Sequence, residues 1–154
     1  MAAKVKSIPD EYRGATPYLC VKGAATAIDF YKNAFGAREV MRIAMDEGKI
    51  GHAELRVGDA PFMLADEFPE MNFRSPQSIG GTPVNVLIYV DDVDALVKRA
   101  ESAGAKVLRQ PEDQFYGDRM ATLEDPYGHS WSFATHIEDV SPDEMRKRAA
   151  AHQT

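Results

Sequence analysis

The 154-residue sequence contains one cysteine, Cys20, so it forms no internal disulfide. A lone cysteine fits a protein of a reducing compartment. The sequence also lacks any apolar run near the roughly 18 residues that a membrane helix needs. Residues 1–14 have no long apolar stretch of the signal-peptide kind. These absences predict a cytoplasmic protein that has no membrane partner.

Runs of basic residues are also missing. Lys and Arg number 18 against 24 Asp and Glu, which leaves a net charge of −6. An acidic chain without a basic patch argues against nucleic acid as a partner. The apolar fraction of 44% and the charged fraction of 27% are ordinary for a globular domain, and the length indicates one domain.

The chain contains the same succession of strand, helix and strand patterns twice. Residues 21–36 and 90–104 each run from the end of a strand, through a helical stripe of apolar residues, to a glycine that can end the helix. Three further strands follow the first glycine. Two βαβββ modules in an α+β domain account for this order. The predicted boundaries are a loosely held N-terminal arm (1–14), module one (15–66), a linker loop (67–82), module two (83–137), and a C-terminal helix and tail (138–154).

Within module two the pattern predicts a strand at 105–108, a loop at 110–117 and a hairpin at 118–135. The hairpin turns at Asp125-Pro126-Tyr127-Gly128, where Pro presets φ and Gly tolerates positive φ. Alternation puts Trp131 and large apolar neighbours on the helix-covered face, and Ser130 and Ser132 on the other. Farther on, Ser141-Pro142 is a helix-start signal.

Several motifs of this chain resemble those of the vicinal oxygen chelate superfamily, in its PhnB-like glyoxalase/bleomycin-resistance branch. They read AIDFYKNAFGA (27–37), GHAELRVGD (51–59), YVDDVDALVKRAESAGA (89–105), QFYGDR (114–119) and DPYGHSW (125–131). The superfamily includes glyoxalase I, bleomycin-resistance proteins and extradiol dioxygenases. The resemblance implies that the modules form a mixed sheet of eight strands curved around a concave surface, here called the cup. It also implies a homodimer, with a swap of modules between chains as one arrangement.

Enzymes of this superfamily hold a divalent metal in the cup. The resemblance places its ligands at Thr16, Glu54, Asn85 and Ser132. Thr, Asn and Ser are weak ligands for zinc, nickel or iron, so only Glu54 is a suitable donor. We therefore expect no glyoxalase-type metal site and no cofactor.

His52, Glu54 and Arg56 alternate along one strand and so face the same side. One interpretation makes His52 and Glu54 an acid/base pair or a shifted metal site. The other makes His52 a hydrogen-bonded or solvated strand-end residue, with Glu54 and Arg56 as a structural ion pair.

Tyr116 and Arg119 precede the hairpin. They could clamp an anionic or aromatic ligand at the mouth of the cup. Alternatively, Asp118 and Arg119 brace the loop. Cys20 is read as a small buried residue, and His129 as a turn histidine bonded to backbone.

The residues expected to face the cup are polar and aromatic, which suits a small organic ligand with a ring and hydrogen-bonding groups. The resulting hypothesis is a protein that binds such a molecule without a metal. The alternatives are a divalent-metal-dependent lyase, isomerase or dioxygenase using Glu54 and His52, and an interaction module with an empty cup. The expected cup residues are Thr16, Tyr18, Cys20, His52, Glu54, Arg56, Asn85, Leu87, Tyr89, Ser130 and Ser132, with Tyr116 and Arg119 at the mouth.

Overall fold

A computed structural model describes residues 3–153, and its elements follow the order of the predicted modules. Module one contains β1 (Tyr18–Val21), α1 (Ala24–Phe35), β2 (Arg38–Ala44), β3 (Ile50–Val57) and β4 (Ala60–Asp66). The connecting segment carries the short helix α2 (Pro76–Ile79). Module two contains β5 (Asn85–Tyr89), α3 (Val93–Ala103), β6 (Lys106–Asp113), β7 (Asp118–Glu124) and β8 (Ser130–His136), and helix α4 (Pro142–His152) follows it.

Capping side chains and terminal glycines set the helix ends. Asp92 caps α3 by accepting a hydrogen bond from the amide of Ala95. Gly36 and Gly104 end α1 and α3 in the left-handed conformation, which glycine adopts without a steric penalty. Ser141 caps α4 by accepting from the amide of Glu144, as predicted.

The eight strands form two mixed sheets of four, which confirms the α+β fold class and its two βαβββ modules. Sheet one has the order β1-β4-β3-β2 and sheet two the order β5-β8-β7-β6. In each, the first strand of the module pairs in parallel with the last, and the other pairs are antiparallel. The two sheets are therefore topological repeats of one another.

A single hydrophobic core joins the two modules. Trp131 of β8 is fully buried and lies 5.3 Å, centroid to centroid, from Phe62 of β4. The rings of Tyr31 and Phe35 from α1 also pack on Trp131. The helix-covered faces of both sheets thus meet at this core. The opposite face of each sheet is called its open face below.

Three sequence expectations need correction. β6 continues to Asp113, where a loop was expected from Gln110; it is an edge strand with bulges, so the missing amide of Pro111 is tolerated. The linker is not structureless, since it contains α2 and a Phe68–Phe73 bridge. The N-terminal arm is not wholly loose, because Tyr12 contacts sheet one. Within the described part, 3–153, no helix is long and apolar enough to cross a membrane.

Candidate functional site

Three side chains on the open face of sheet one form a continuous hydrogen-bonded row. The hydroxyl of Tyr18 lies 2.7 Å from Nδ1 of His52, and Nε2 of His52 lies 3.1 Å from Oε1 of Glu54. Strand pairing sets this row, because β1 and β3 both pair with β4 and the three residues share one face. The row is satisfied when Tyr18 donates to Nδ1 and Nε2 donates to the carboxylate.

The row holds a carboxylate that is ionised at neutral pH. Hydrogen bonds from Tyr12 and then from His52 lower the pKa of Glu54. Partial burial, and then the charge of Glu54, raise the pKa of the Tyr18 hydroxyl. Tyr18 is therefore a neutral donor and Glu54 a charged acceptor.

The N-terminal arm reaches this face through one side chain. The Tyr12 hydroxyl donates to Oε2 of Glu54 over 2.5 Å. The Arg56 guanidinium carbon lies 5.5 Å from the Tyr12 ring centroid, and Arg56 donates to the carbonyl oxygens of Glu11 and Asp59. Arg56 thus holds the arm and does not pair with Glu54.

A concavity of about 330 Å³ adjoins the Tyr18 end of the row. Tyr18 is shared between the row and the concavity, and its ring packs edge-on against Phe73 at 6.0 Å. The connecting segment supplies one wall and the sheet the other, so the space is mainly apolar beside a polar end. It is lined by Tyr18, Gly51, Ala65, Phe68, Met71 and Phe73.

The open face of sheet two carries a second polar cluster. Tyr89 donates to Oδ2 of Asp118 over 2.6 Å, and Nδ1 of His136 lies 2.8 Å from Oδ1 of the same carboxylate. Asp118 is almost fully buried. Tyr116 lies nearby, with its hydroxyl 3.7 Å from the Met120 sulfur.

Asn85 and Ser132 lie on this second face but make local bonds. Asn85 donates to the Ser130 hydroxyl, and the Ser132 hydroxyl lies 3.0 Å from that of Thr122. Thr16 is half-buried just before β1.

Arg119, expected at the cup mouth, instead shares strand parity with the core-facing Ala121. Its guanidinium pairs with Asp94 at the start of α3, at 2.7 and 2.9 Å, and with Asp113 at 2.8 Å. The predicted brace through Arg119 is thus made to these two carboxylates.

Cys20 and His129 have structural contacts. Burial raises the pKa of the Cys20 thiol to about 11, which disfavours the nucleophilic thiolate. Nε2 of His129 donates to the Cys20 carbonyl oxygen over 2.8 Å, so this histidine links the two modules.

The two halves of the expected cup do not meet within one chain. Both helix-covered faces pack into the shared core, so both open faces lie on its outside. Among residues 3–153, no hydrogen bond or ring contact joins Tyr18, His52 or Glu54 to Asn85, Tyr89 or Ser132.

The donor set of one chain does not fit a divalent transition metal. In the described range, 3–153, no three His, Cys, Asp or Glu side chains converge as ligands. Glu54 and His52 do converge, but both are engaged in the row with Tyr12 and Tyr18. The other implied ligand positions hold neutral hydroxyl or amide groups, which such metals disfavour.

Two important residues were missed by sequence reasoning. Tyr12 lay in a segment read as an arm, and no local pattern marks its contact with Glu54. Asp125 was read as a turn residue, yet it is buried and accepts from Tyr31, Trp131 and the amides of Tyr127 and His129. An Asp side chain at the start of a turn often accepts a hydrogen bond from the amide two residues later. The Asp125-Pro126-Tyr127 order could therefore have indicated an Asx turn.

The chain matches the model of the Glyoxalase/Bleomycin resistance protein/Dioxygenase superfamily over residues 14–133. It belongs to that superfamily. Among curated relatives, the Mycobacterium tuberculosis protein Rv0887c is 44% identical over 134 residues, which cover 85% of this chain and 79% of that protein. The Streptomyces peucetius anthracycline biosynthesis protein DnrV is 30% identical over 115 residues, or 70% of this chain and 41% of that protein.

Solved structures share the fold. TioX from Micromonospora sp. ML1 superposes with a TM-score of 0.62 at 26% identity and covers 80% of this chain and 100% of its own. A PhnB protein from Bacillus cereus superposes with a TM-score of 0.60 at 21% identity, over 80% of this chain and 99% of its own, and this likeness concerns the fold alone.

Proposed function

We propose that this protein binds a small organic molecule at the open face of sheet one, without a glyoxalase-type metal. The observation that carries the proposal is the concavity of about 330 Å³ bordered by the Tyr18–His52–Glu54 row. Small-molecule sites are mostly apolar concavities with a few placed polar groups, and this one has both parts.

We further propose that a second copy of the chain completes the cup. Each open face exposes large apolar side chains, among them Ile43 and Tyr18 on sheet one and Leu87 and Tyr89 on sheet two. Sheet one of one chain facing sheet two of another would bury these groups and bring together the two polar clusters. Such an assembly corresponds to the swapped homodimer that the family resemblance implies, in which modules of two chains form one cup.

The relatives support a small-molecule role in general terms. DnrV is named for the biosynthesis of an anthracycline, which is a small organic molecule.

One feature favours a second candidate, a divalent-metal-dependent lyase, isomerase or dioxygenase. His52 and Glu54 are adjacent, and both are of a type that binds metals. Two donors fall short of the three protein ligands typical of a catalytic site. The binding function is therefore the better supported.

Two measurements on protein purified without a His-tag test these functions. A bound aromatic molecule at about 100 times its Kd should stabilise the fold by about 2.7 kcal/mol, which raises Tm by roughly 5–10 °C for a chain of this size. Glu54→Ala should reduce this rise, whereas Glu101→Ala, on the exposed side of α3, should not.

Metal analysis separates the candidates. Stoichiometric zinc, nickel or iron that is lost in Glu54→Ala would overturn the binding-only function in favour of the metalloenzyme. If no molecule of a broad panel shifts Tm and no metal is found, both are rejected in favour of an interaction module.

A further inference from the structure

The Tyr12 side chain is placed on sheet one as a ligand would be. Of arm residues 3–14, Tyr12 alone is half-buried and the others are exposed. Its ring is held at two points: the hydroxyl donates to Glu54, and the Arg56 guanidinium lies over the ring face. These contacts recognise a phenol by its acidic hydrogen and by its π-face.

The rest of the arm is weakly attached. Its internal ion pairs, Lys6–Asp10 and Arg13–Asp10, are exposed, and such pairs contribute little to stability. Within the described residues, the arm makes no backbone–backbone hydrogen bond to sheet one, and its one such bond runs from the Tyr12 amide to the Pro9 carbonyl. Its backbone is tied to sheet one through the Glu11 carbonyl, which accepts from the Arg56 side chain. Removal of Tyr12 from Glu54 therefore breaks few other contacts.

We propose that the polar end of this site binds a neutral hydroxylated aromatic ring, and that the Tyr12 ring occupies the same place and competes with that ligand. This inference rests on the proposed binding function and names its ligand class. The ligand hydroxyl takes the place of the Tyr12 hydroxyl on Glu54, and its ring lies under Arg56. A larger ring system extends past His52 and Tyr18 toward Phe68 and Phe73 in the concavity.

The chemistry of the hydrogen-bond acceptor, the Glu54 carboxylate, determines which class of ligand is favoured. A carboxylate that remains ionised at neutral pH accepts from O–H groups but repels anions and has no donor for an ether oxygen. Hydrogen bonding to Glu54 raises the pKa of the Tyr12 hydroxyl, which keeps that phenol neutral in the same contact. A phenol is therefore favoured over its methyl ether and over a phenolate.

Calorimetric titration of the full chain with 2-naphthol and with 2-methoxynaphthalene tests this inference. Tyr12→Ala removes the competitor, so the Kd for 2-naphthol should fall by about tenfold. Tyr12→Phe, which loses only the hydroxyl bond, should give an intermediate Kd and guards against a folding defect in the alanine variant. Arg13→Ala, which alters the arm without touching sheet one, should leave the Kd unchanged.

The preference for the hydroxyl should depend on Glu54. In the Tyr12→Ala background, the Kd for 2-naphthol should be at least about tenfold lower than the Kd for 2-methoxynaphthalene. Adding Glu54→Ala should abolish that preference. The inference is overturned if Tyr12→Ala leaves 2-naphthol binding unchanged or weaker, or if the methyl ether binds equally well. If 2-naphthol binds to no variant while another molecule raises the wild-type Tm, this inference fails and the proposed binding function stands.

Discussion

Asp125 is the residue through which the hairpin turn and helix α1 are joined. Its Oδ2 accepts from the Tyr31 hydroxyl at 2.6 Å and from the Trp131 indole nitrogen at 2.8 Å. Its Oδ1 accepts from the amides of Tyr127 and His129. One buried carboxylate thus satisfies donors from both modules.

Replacement of Asp125 by alanine should destabilise the protein strongly. The Tyr31 hydroxyl and the Trp131 indole would lose their acceptor while buried, and each unsatisfied group costs about 1–3 kcal/mol. Urea denaturation should therefore show a free energy of unfolding lower by about 3 kcal/mol or more. Asp59→Ala, at an exposed turn, should change it by less than about 0.5 kcal/mol. Equal effects of the two substitutions would contradict this assignment.

The sequence predicts Asp125 as a turn residue for a local reason, since the Asp-Pro-x-Gly order has turn chemistry. The further hydrogen-bond partners of Asp125 could not be predicted from the sequence. Tyr31 lies 94 positions earlier in the chain, and pairing over that separation depends on how the modules pack. Tyr12 and Glu54, 42 positions apart, escape prediction for the same reason.

At the scale of elements, the β6–β7 turn is fixed to the segment that leaves β8. The Gly117 carbonyl accepts from the amides of Ile137 and Glu138. Gly117 has φ +94, and a Cβ there would lie 2.2 Å from the Glu138 carbonyl oxygen. Glycine is needed at this position for conformation and for space.

Gly80 is a matched control because it has the same φ of +94, and a Cβ at this position would meet no other atom within 4 Å. Gly80→Ala should cost about 1–2 kcal/mol from the left-handed backbone alone. Gly117→Ala should cost clearly more, since backbone must move to relieve the overlap. Thermal and urea unfolding of both variants measure the difference, and equal losses would show that the close approach is relieved without cost.

Element types follow well from the sequence, while the longer segments between them do not. Helices α1 and α3 have apolar stripes and terminal glycines, so their bounds are predictable. The extension of β6 past Pro111 depends on its place at the sheet edge, where a missing amide is tolerated. Edge position is a property of the assembled sheet and is not encoded locally.

At the scale of the whole molecule, alternation assigns each strand residue to one face of its sheet. It does not show whether that face is enclosed within one chain or lies on its outside. The predicted cup residues His52, Glu54, Asn85 and Tyr89 do lie on open faces. Yet the shared core around Trp131 puts both open faces on the outside of one chain. A single chain therefore exposes what a complete cup would enclose.

The proposed swapped homodimer leads to the last prediction. Leu87, the middle residue of edge strand β5, is 47% exposed on the open face of sheet two and would be buried against a partner's sheet one. Light scattering at micromolar concentration should give the wild type a mass of twice the 17.0 kDa chain, and Leu87→Asp should give 17.0 kDa. The introduced carboxylate would be buried in the interface without a cation or a hydrogen-bond donor. The cost of that burial would exceed what the dimer contacts offset. Ile79→Asp, at an exposed residue of α2 that belongs to neither sheet, should remain dimeric. A wild-type mass of 17.0 kDa would refute the dimer, and dissociation by Ile79→Asp but not by Leu87→Asp would move the interface away from the open faces.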